Sequence, residues 1–519
     1  MTIGLSPISI RITPLTIRNL ISFAVLTMLF HATAVSKSYY VSVIGNDTNT
    51  GTIDAPFKTI TKGINSMAAG DTLFLREGVY ALSTTISISK SGTSTSRYHI
   101  RKYQNERVVL DFSAQTSSDG LKLNGQYWHV YGIEIKKSAH NGIAINSHNN
   151  IVEFCATYEN RNTGLQLGNG ASNNAIINCD SYFNYDPPSG GNADGFAPKL
   201  DVGTGNYFYG CRAWQNSDDG WDGYLRPADN VFTVIENCWS FMNGYLKNNS
   251  VITTGNGNGF KMGGGDTSNK DSLRHNVTLK NCLTFDNRVK GFDQNNDRGT
   301  MILLNCTAYR NGAENYKISS FIRVSESLVV KNSLELGNKV SLATFARQTT
   351  NSWTIPIPVT AADFVSIDTA GIRGPRKADG ALPDVPFLRL AAGSPLINAG
   401  TDIGLPFNGS APDLGAFEYT APASVRPNGT TASEYSLQQN YPNPFNPSTV
   451  IGFRLPVSAR VTLTVFDLLG RETEVLVNGI EDAGYHAVTF NASSKTSGIY
   501  FYRIQYGSIV ETRSMVLIK

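Results

Sequence analysis

The stretch Asn216-Ser217-Asp218-Asp219-Gly220-Trp221-Asp222-Gly223 decides how this chain folds, because it joins a repeated phrase to a cluster of acids. Its first residue closes the phrase Cys211-Arg-Ala-Trp-Gln-Asn216. Five other copies occur: Cys155-Ala-Thr-Tyr-Glu-Asn160, Cys179-Asp-Ser-Tyr-Phe-Asn184, Cys238-Trp-Ser-Phe-Met-Asn243, Cys282-Leu-Thr-Phe-Asp-Asn287 and Cys306-Thr-Ala-Tyr-Arg-Asn311. In Ser333-Leu-Glu-Leu-Gly-Asn338 serine replaces the cysteine. The phrases recur every 24 to 44 residues, and a period of this size marks a solenoid. The units are too short for paired helices and are rich in Val, Ile, Thr and aromatics, punctuated by Asn and Gly. Each coil is therefore expected to be a set of short strands, which makes an all-β, parallel β-helix. Cysteine and the large residue three places later are expected to point inward. The closing asparagine is expected at a bend, tolerating unusual backbone angles and bonding through its amide to the asparagines above and below.

Aligning the copies on that asparagine brings out the chemistry. A glycine and a large apolar residue follow the bend: Gly164-Leu165, Gly195-Phe196, Gly220-Trp221, Gly259-Phe260 and Gly291-Phe292, with Asn315-Tyr316 as the variant. Side chains alternate faces along a strand, so an inward apolar residue sends its neighbours outward. The outward column reads Gln166, Ala197, Asp222, Lys261, Asp293, Lys317, and the column before the glycine reads Thr163, Asp194, Asp219, Asn258, Lys290. Rungs lie ~4.8 Å apart, which predicts Asp194 under Asp219 and Asp222 under Lys261. Residues 185–191 and 244–255 are extra, and the loops they form are expected to rise beside the cluster.

Carboxylates packed this closely repel one another and must hold protons or bind a cation. Oxygen ligands without His or Cys favour calcium over zinc. A lone lysine is usually a surface charge. Lys261, beside such a site and next to an aromatic residue, reads instead as a base whose proton affinity the cation depresses. The bland alternative is a row of solvated acids.

Asn192-Ala-Asp194-Gly-Phe196, Ser217-Asp218-Asp219-Gly-Trp-Asp222, Gly257-Asn-Gly-Phe-Lys261-Met-Gly-Gly264, Gly291-Phe-Asp-Gln-Asn-Asn296 and Arg298-Gly-Thr-Met301 resemble segments of polysaccharide lyase family 9, the calcium-dependent pectate lyases on a right-handed parallel β-helix. The similarity runs from roughly residue 37 to 419. The resemblance implies that Asp194, Asp218, Asp219 and Asp222 bind Ca2+ and that Lys261 takes the proton. It further implies a pectate (α-1,4-linked polygalacturonate) substrate cleaved by β-elimination. Arg226, Lys290, Arg298 and Lys317 are candidate contacts to other substrate carboxylates.

The rest of the chain fits an exported protein of more than one domain. It has 519 residues, a net charge of +3 and 16% charged residues, with no basic cluster interleaved with aromatics. Nothing in that balance argues for nucleic acid, and a monomer is expected. Residues 1–34 read as an export signal: Arg11 and Arg18, the apolar run Leu20–Phe30, then Ala32-Thr-Ala34. The run is short for a membrane span, so none is expected in the mature protein; an uncleaved anchor is the alternative. Residues 35–419 form the β-helix domain. A helical pattern from Ile60 to Ala69 is expected to cap its open end, where unpaired backbone and apolar core would otherwise be exposed.

The six cysteines occupy one column with parallel Cβ vectors, poor geometry for disulfides, and are predicted to be free buried thiols. The seven histidines lack metal-ligand spacing and receive no role. Residues 340–419 resemble the family's closing segment and are expected to lie along or over the last rungs. Asp402, Asp413 and Glu418 there are candidates for a second cation. Residues 420–434 read as a Pro/Ser/Thr-rich linker. Residues 435–519, with Tyr441-Pro-Asn-Pro-Phe-Asn-Pro-Ser-Thr449, Gly498-Ile-Tyr-Phe-Tyr-Arg503 and Met515-Val-Leu-Ile-Lys519, resemble the C-terminal sorting domain of type IX secretion cargo, a small antiparallel sandwich. That resemblance implies engagement of the type IX machinery, export across the outer membrane of a Gram-negative bacterium, and removal of the domain. A carbohydrate-binding module is the alternative for this segment.

Two other functions compete with the lyase. Asn192-Ala-Asp194 and Asp218-Asp219 resemble the acid pair of polygalacturonases, inverting hydrolases on the same fold, but no Gly-His-Gly or Arg-Ile-Lys segment accompanies them. A non-catalytic glycan-binding solenoid is the second.

Overall fold

In the computed structural model the described residues are 36–420 and 436–517, apart from Thr267, Lys270, Asn338, Ala378, Tyr441, Pro442, Pro444, Leu469, Ala483 and Ser508. The signal, the linker, Asn338 and part of the Tyr441–Thr449 motif therefore lie outside them. Two compact units divide at Tyr419/Thr420.

The first unit is a parallel β-helix. Successive strands pass from a 12-stranded sheet to a second of ten strands and then a third of ten, and every neighbouring pair is parallel. Each strand of a sheet belongs to the next coil, so an identical position on each coil forms a column along the axis. The helix Ile60–Ser66 closes the N-terminal end, slightly shorter than its sequence pattern. Thr59 caps it by accepting the Lys62 N–H at 3.2 Å, and Ile60, Ile64 and Met67 enter the solenoid core.

The repeated phrase turns the corner from the second sheet to the third. Asn160, Asn184, Asn216, Asn243, Asn287 and Asn311 each donate their side-chain N–H to the Oδ1 of the next asparagine at 2.8–3.0 Å. The seventh member is Asn315, which closes the ladder by donating to Glu335 Oε1 at 2.7 Å. The unusual backbone angles fall beside the ladder rather than in it. Glu159, Phe183, Gln215, Met242, Asp286 and Arg310, each just before a ladder asparagine, have φ of +50 to +58°. The asparagines are thus selected for their amides. Tolerance of positive φ is used at the preceding corner, where Asn178, Asn237, Asn281, Asn305 and Asn332 stand just before the cysteines or Ser333.

The cysteines are all free and buried, as their column predicts. The large residue three places later faces the other way. In each second-sheet strand the small middle residue (Thr157, Ser181, Ala213, Ser240, Thr284, Ala308) is buried, and the aromatic that follows lies on the outer face. There Tyr158, Tyr182, Trp214, Phe241 and Phe285 stack with ring centroids 4.3–5.7 Å apart. The correction follows from strand alternation: if Cys155 and Thr157 face in, Tyr158 faces out. The closing segment runs along this face, burying Phe364, Phe387, Leu390, Leu396 and Leu414 against it. Arg376 anchors the segment to Asp180 at 2.6 Å.

In the third sheet the apolar column does face inward. Leu165, Phe196, Trp221, Phe260, Phe292 and Tyr316 are buried, and the five rings stack at 4.7–5.3 Å. Glycine precedes them because a coil passes too close for a side chain. A Cβ on Gly220 would lie 2.0 Å from Ser240 Oγ, and one on Gly259 would lie 2.1 Å from Thr284 Oγ1.

The second unit pairs a three-stranded antiparallel sheet (inner strand Ser448–Leu455) with a four-stranded one (inner strands Ala459–Phe466 and Gly498–Tyr506) around Ile451, Phe453, Leu463, Val465, Tyr502 and Met515.

Asn243→Ala removes donors and acceptors from a fully buried ladder and leaves partners on two coils unsatisfied. It is expected to lower the unfolding free energy by about 2–3 kcal/mol, read by urea denaturation; an unchanged midpoint would show that the ladder contributes nothing. Thiol titration of the unfolded, unreduced protein should count six.

Candidate active site

Third-sheet register places the acids where the columns predict. Phe196 pairs with Trp221, so Asp194 lies one coil below Asp219, and Asp222 pairs directly with Lys261. Backbone hydrogen bonds orient the first column. Asp194 Oδ1 accepts the Asp219 N–H at 3.1 Å, Asp219 Oδ1 accepts the Asn258 N–H at 2.8 Å, and Asn258 Oδ1 accepts the Lys290 N–H at 3.3 Å. One oxygen of each aspartate is thus committed to the next coil; of the second oxygens, Asp194 Oδ2 also accepts the Thr163 hydroxyl at 3.2 Å.

These second oxygens, and both oxygens of Asp222, meet two ammonium groups. Lys261 Nζ lies 3.2 Å from Asp219 Oδ2 and 3.1 Å from Asp222 Oδ1. Lys199 Nζ lies 2.6 Å from Asp194 Oδ2 and 3.2 Å from Asp222 Oδ2. Carboxylate oxygens of Asp194, Asp219 and Asp222 lie within 4.8 Å of one another. Asp218, the fourth expected ligand, is outside that triad: it lines the cleft and accepts the Asn256 N–H. The cleft encloses about 410 Å³ and is further lined by His140, Asn162, Gln166, Tyr224 and Arg226. The first extra loop borders it at Gly191; of the second, only the adjoining Asn256 reaches it, and Leu246, Lys247 and Asn248 line another hollow. Asp186 ties the first loop together through Ser189 and Asn192, and Arg288 holds the second at Asn256 O, 3.1 Å away. A larger hollow of about 690 Å³, near Phe183 and Leu246, is mostly apolar, and its Lys247 is paired with Glu159. Asp218, Asp222, Lys199 and Lys261 line the smaller one.

Burial and crowding set the proton affinities. Burial, countered by Lys199 and reinforced by Asp222 and Asp219, raises the Asp194 carboxyl to about 7. Burial, then Asp219 and Asp194, raises Asp218 well above the usual range. Burial also raises Asp219 despite Lys261. For Asp222 burial is outweighed by the two lysines and the Tyr224 N–H, which bring it down to about 2. For Lys261 burial alone would favour the neutral amine, but Asp222, Asp219, Asp218 and Asp194 together hold its proton on well above the ordinary lysine value. The chain's own groups therefore act opposite to the depression expected of a bound cation.

The residues fit such a cation. Were all four carboxylates ionised, two ammonium groups would leave two negative charges uncompensated, and the raised proton affinities of Asp194, Asp218 and Asp219 express that excess. Asp219 Oδ2 is fully buried and receives no hydrogen bond, although Lys261 stands near it as an ion pair. The donor set is entirely hard oxygen, which suits Ca2+.

The proposed substrate contacts separate. Arg226 lines the cleft, stacked on Tyr224 and paired with Asp266 at 2.9 Å. Lys290 and Lys317 stand on coils beyond Lys261, partly exposed, paired with Asp293 and Glu314 at 3.0 Å each. Arg298 is buried on Asp271 and the Phe321 carbonyl, so its guanidinium serves the scaffold. The second cation site does not form: Asp413 and Glu418 accept backbone N–H groups, and among the described residues only Asp194, Asp219 and Asp222 converge as a triad. Lys199 escaped the sequence analysis. Its only signal is alternation, since it stands two residues after Ala197 on the same outward face, where the small alanine leaves room.

Fold and cleft together define a parallel β-helix with an acid–lysine centre on its third sheet. Residues 39–332 match the family model described as "Pel9A-like, right handed beta helix region", and residues 439–519 match "Secretion system C-terminal sorting domain". Pectate lyase L of Dickeya dadantii (strain 3937) is 39% identical over 399 residues, covering 74% of this chain and 91% of that protein. The crystal structure of pectate lyase Pel9A aligns with a TM-score of 0.69 at 37% identity, covering 74% of this chain and 97% of that one. A rhamnogalacturonan lyase aligns with a TM-score of 0.60 at 29% identity, covering 69% and 97%. The chain belongs to this Pel9A-like family of pectate lyases, polysaccharide lyase family 9, and carries a secretion sorting domain at its C-terminal end.

Asp194 must be ionised to serve as a ligand, and its proton is retained up to about pH 7. Below that pH, binding of a divalent ion is expected to release a proton and to weaken as the pH falls. Calorimetry at pH 6 in buffers of different ionisation enthalpy reads that proton; a pH-independent affinity between 5 and 7 would contradict the placement.

Proposed function

We propose that this enzyme is a secreted lyase that cleaves polygalacturonate by calcium-assisted β-elimination, with Lys261 as the base. One observation carries the proposal: a lysine ammonium at the cleft floor lies within 3.2 Å of two members of a buried aspartate triad.

The C5 proton of a uronate is weakly acidic, because its removal builds a second negative charge beside the carboxylate. Asp194, Asp219 and Asp222, with Asp218 at the rim, would hold a calcium ion, which would supply positive charge to the substrate carboxylate and to the charge developing next to it. Lys261, as the free amine, takes the C5 proton. The electron pair of the broken C5–H bond forms the C4=C5 double bond, the C4–O4 bond breaks, and O4 leaves with a proton from water. Tyr224, 5.6 Å from the ammonium, and Asp222 limit where Lys261 can point. Arg226 is placed to meet a neighbouring carboxylate, with Lys290 and Lys317 further along the face. Because the surrounding acids hold the lysine proton on, activity belongs on the alkaline side. The sorting domain directs the chain to the type IX machinery, and hence to the outside of a Gram-negative cell.

Incubation with polygalacturonate and calcium should give ultraviolet-absorbing products that disappear on chelation. Reducing ends without absorbance would indicate hydrolysis, and no product would indicate binding alone. Lys261→Ala should lower turnover by about 10³-fold without loss of calcium binding; retained turnover would reject the lysine as base.

A further inference from the structure

Asp194 and Asp222 meet a second lysine that the elimination does not use. Lys199 is a buried cation, its side chain 10% exposed, on the turn that follows the strand Phe196–Pro198. Its backbone is pinned there: the Lys199 N–H donates to Leu167 O at 3.3 Å, and Leu200, at φ +62°, donates to Tyr224 O at 2.6 Å. The stem returns toward the cleft from two residues beyond Ala197. Lys261 approaches the same cluster from the coil above, and Asp222 bridges the two ammonium groups, one oxygen to each.

Asp194 and Asp219 have each committed Oδ1 to the next coil, so the ammonium groups meet their Oδ2 atoms and the two oxygens of Asp222. Two of these oxygens also accept a hydrogen bond from the scaffold, Asp194 Oδ2 from the Thr163 hydroxyl at 3.2 Å and Asp222 Oδ1 from the Tyr224 N–H at 3.1 Å. A divalent ion held by this triad needs the same oxygens. Buried carboxylates without a counter-charge are costly, and the cost is greatest when the partner is removed and nothing replaces it.

We infer that Lys199 is the resident counter-cation of this centre. Its ammonium keeps Asp194 and Asp222 together while no ion is bound, so that the acidic cleft folds without metal. A divalent ion entering the triad displaces it from at least one of the two oxygens it holds. The displacement half of this inference rests on the calcium function proposed above; the stabilising half does not.

Two measurements on the full chain separate the halves. The protein is stripped with chelator and melted in chelator, then titrated with CaCl2 by calorimetry, as wild type, Lys199→Met and Lys199→Gln. Both variants are expected to melt several degrees below wild type in chelator. They are also expected to bind CaCl2 about tenfold more tightly, because a unit charge a few ångströms from the ion is gone. A variant that folds only when calcium is present supports the role equally. Unchanged melting in chelator, weaker or unchanged calcium binding, or failure to fold with calcium present would each overturn it. The weaker binding would make Lys199 a prop that positions carboxylates for the ion. If wild type binds no calcium yet both variants melt lower in chelator, the metal assignment fails and the counter-cation role stands.

Discussion

The hydrogen-bonded stacking of one coil on the next governs everything else in this protein. Parallel pairing repeats each position at one strand spacing, so a residue type that recurs in the sequence becomes a continuous column in space. The asparagine ladder strengthens this register at the corner between the second and third sheets. There the amides satisfy one another and the buried backbone N–H groups of the preceding coil. Above it, stacked rings from Phe196 to Tyr316 prevent neighbouring coils from slipping. The acid and lysine columns inherit their alignment from these two stacks.

The same stacking creates an electrostatic cost and turns it to use. Bringing Asp194 over to Asp219 buries two like charges, and Asp218 and Asp222 add to the repulsion. The structure answers with backbone donors on one oxygen of each column aspartate and with lysines on the other. What results is a centre whose charges are nearly, but not fully, compensated. The acids that create that residue of negative potential also hold the Lys261 proton in place. The cleft is therefore a balance between four carboxyl groups and two ammonium groups, and its hard-oxygen donors suit a divalent cation.

Several features were legible before any coordinates because they depend on period alone. The coil repeat, the free cysteine column, the inward rings of the third sheet and the pairing of Asp222 with Lys261 all follow from aligning copies on one asparagine. The failures came where a second element intervenes. The aromatic three places after each cysteine is expected inward, but strand alternation turns it outward, where the closing segment covers much of that face; the sequence does not announce which face a later segment will bury. Arg298 looked like a substrate contact until Asp271 and the Phe321 carbonyl were seen to hold it. Lys199 was overlooked because it stands at no repeated position.

By itself the sequence determined the solenoid, its register and the identity of the columns, since periodicity and side-chain alternation are local properties that each coil carries in full. Only the tertiary structure decided which oxygen of each aspartate faces the cleft, that Asp218 stands apart from the triad, and that a second ammonium shares Asp222. Those outcomes depend on side chains reaching across coils and turns. Distance and burial settle them, and neither is written in the spacing of residues along one chain.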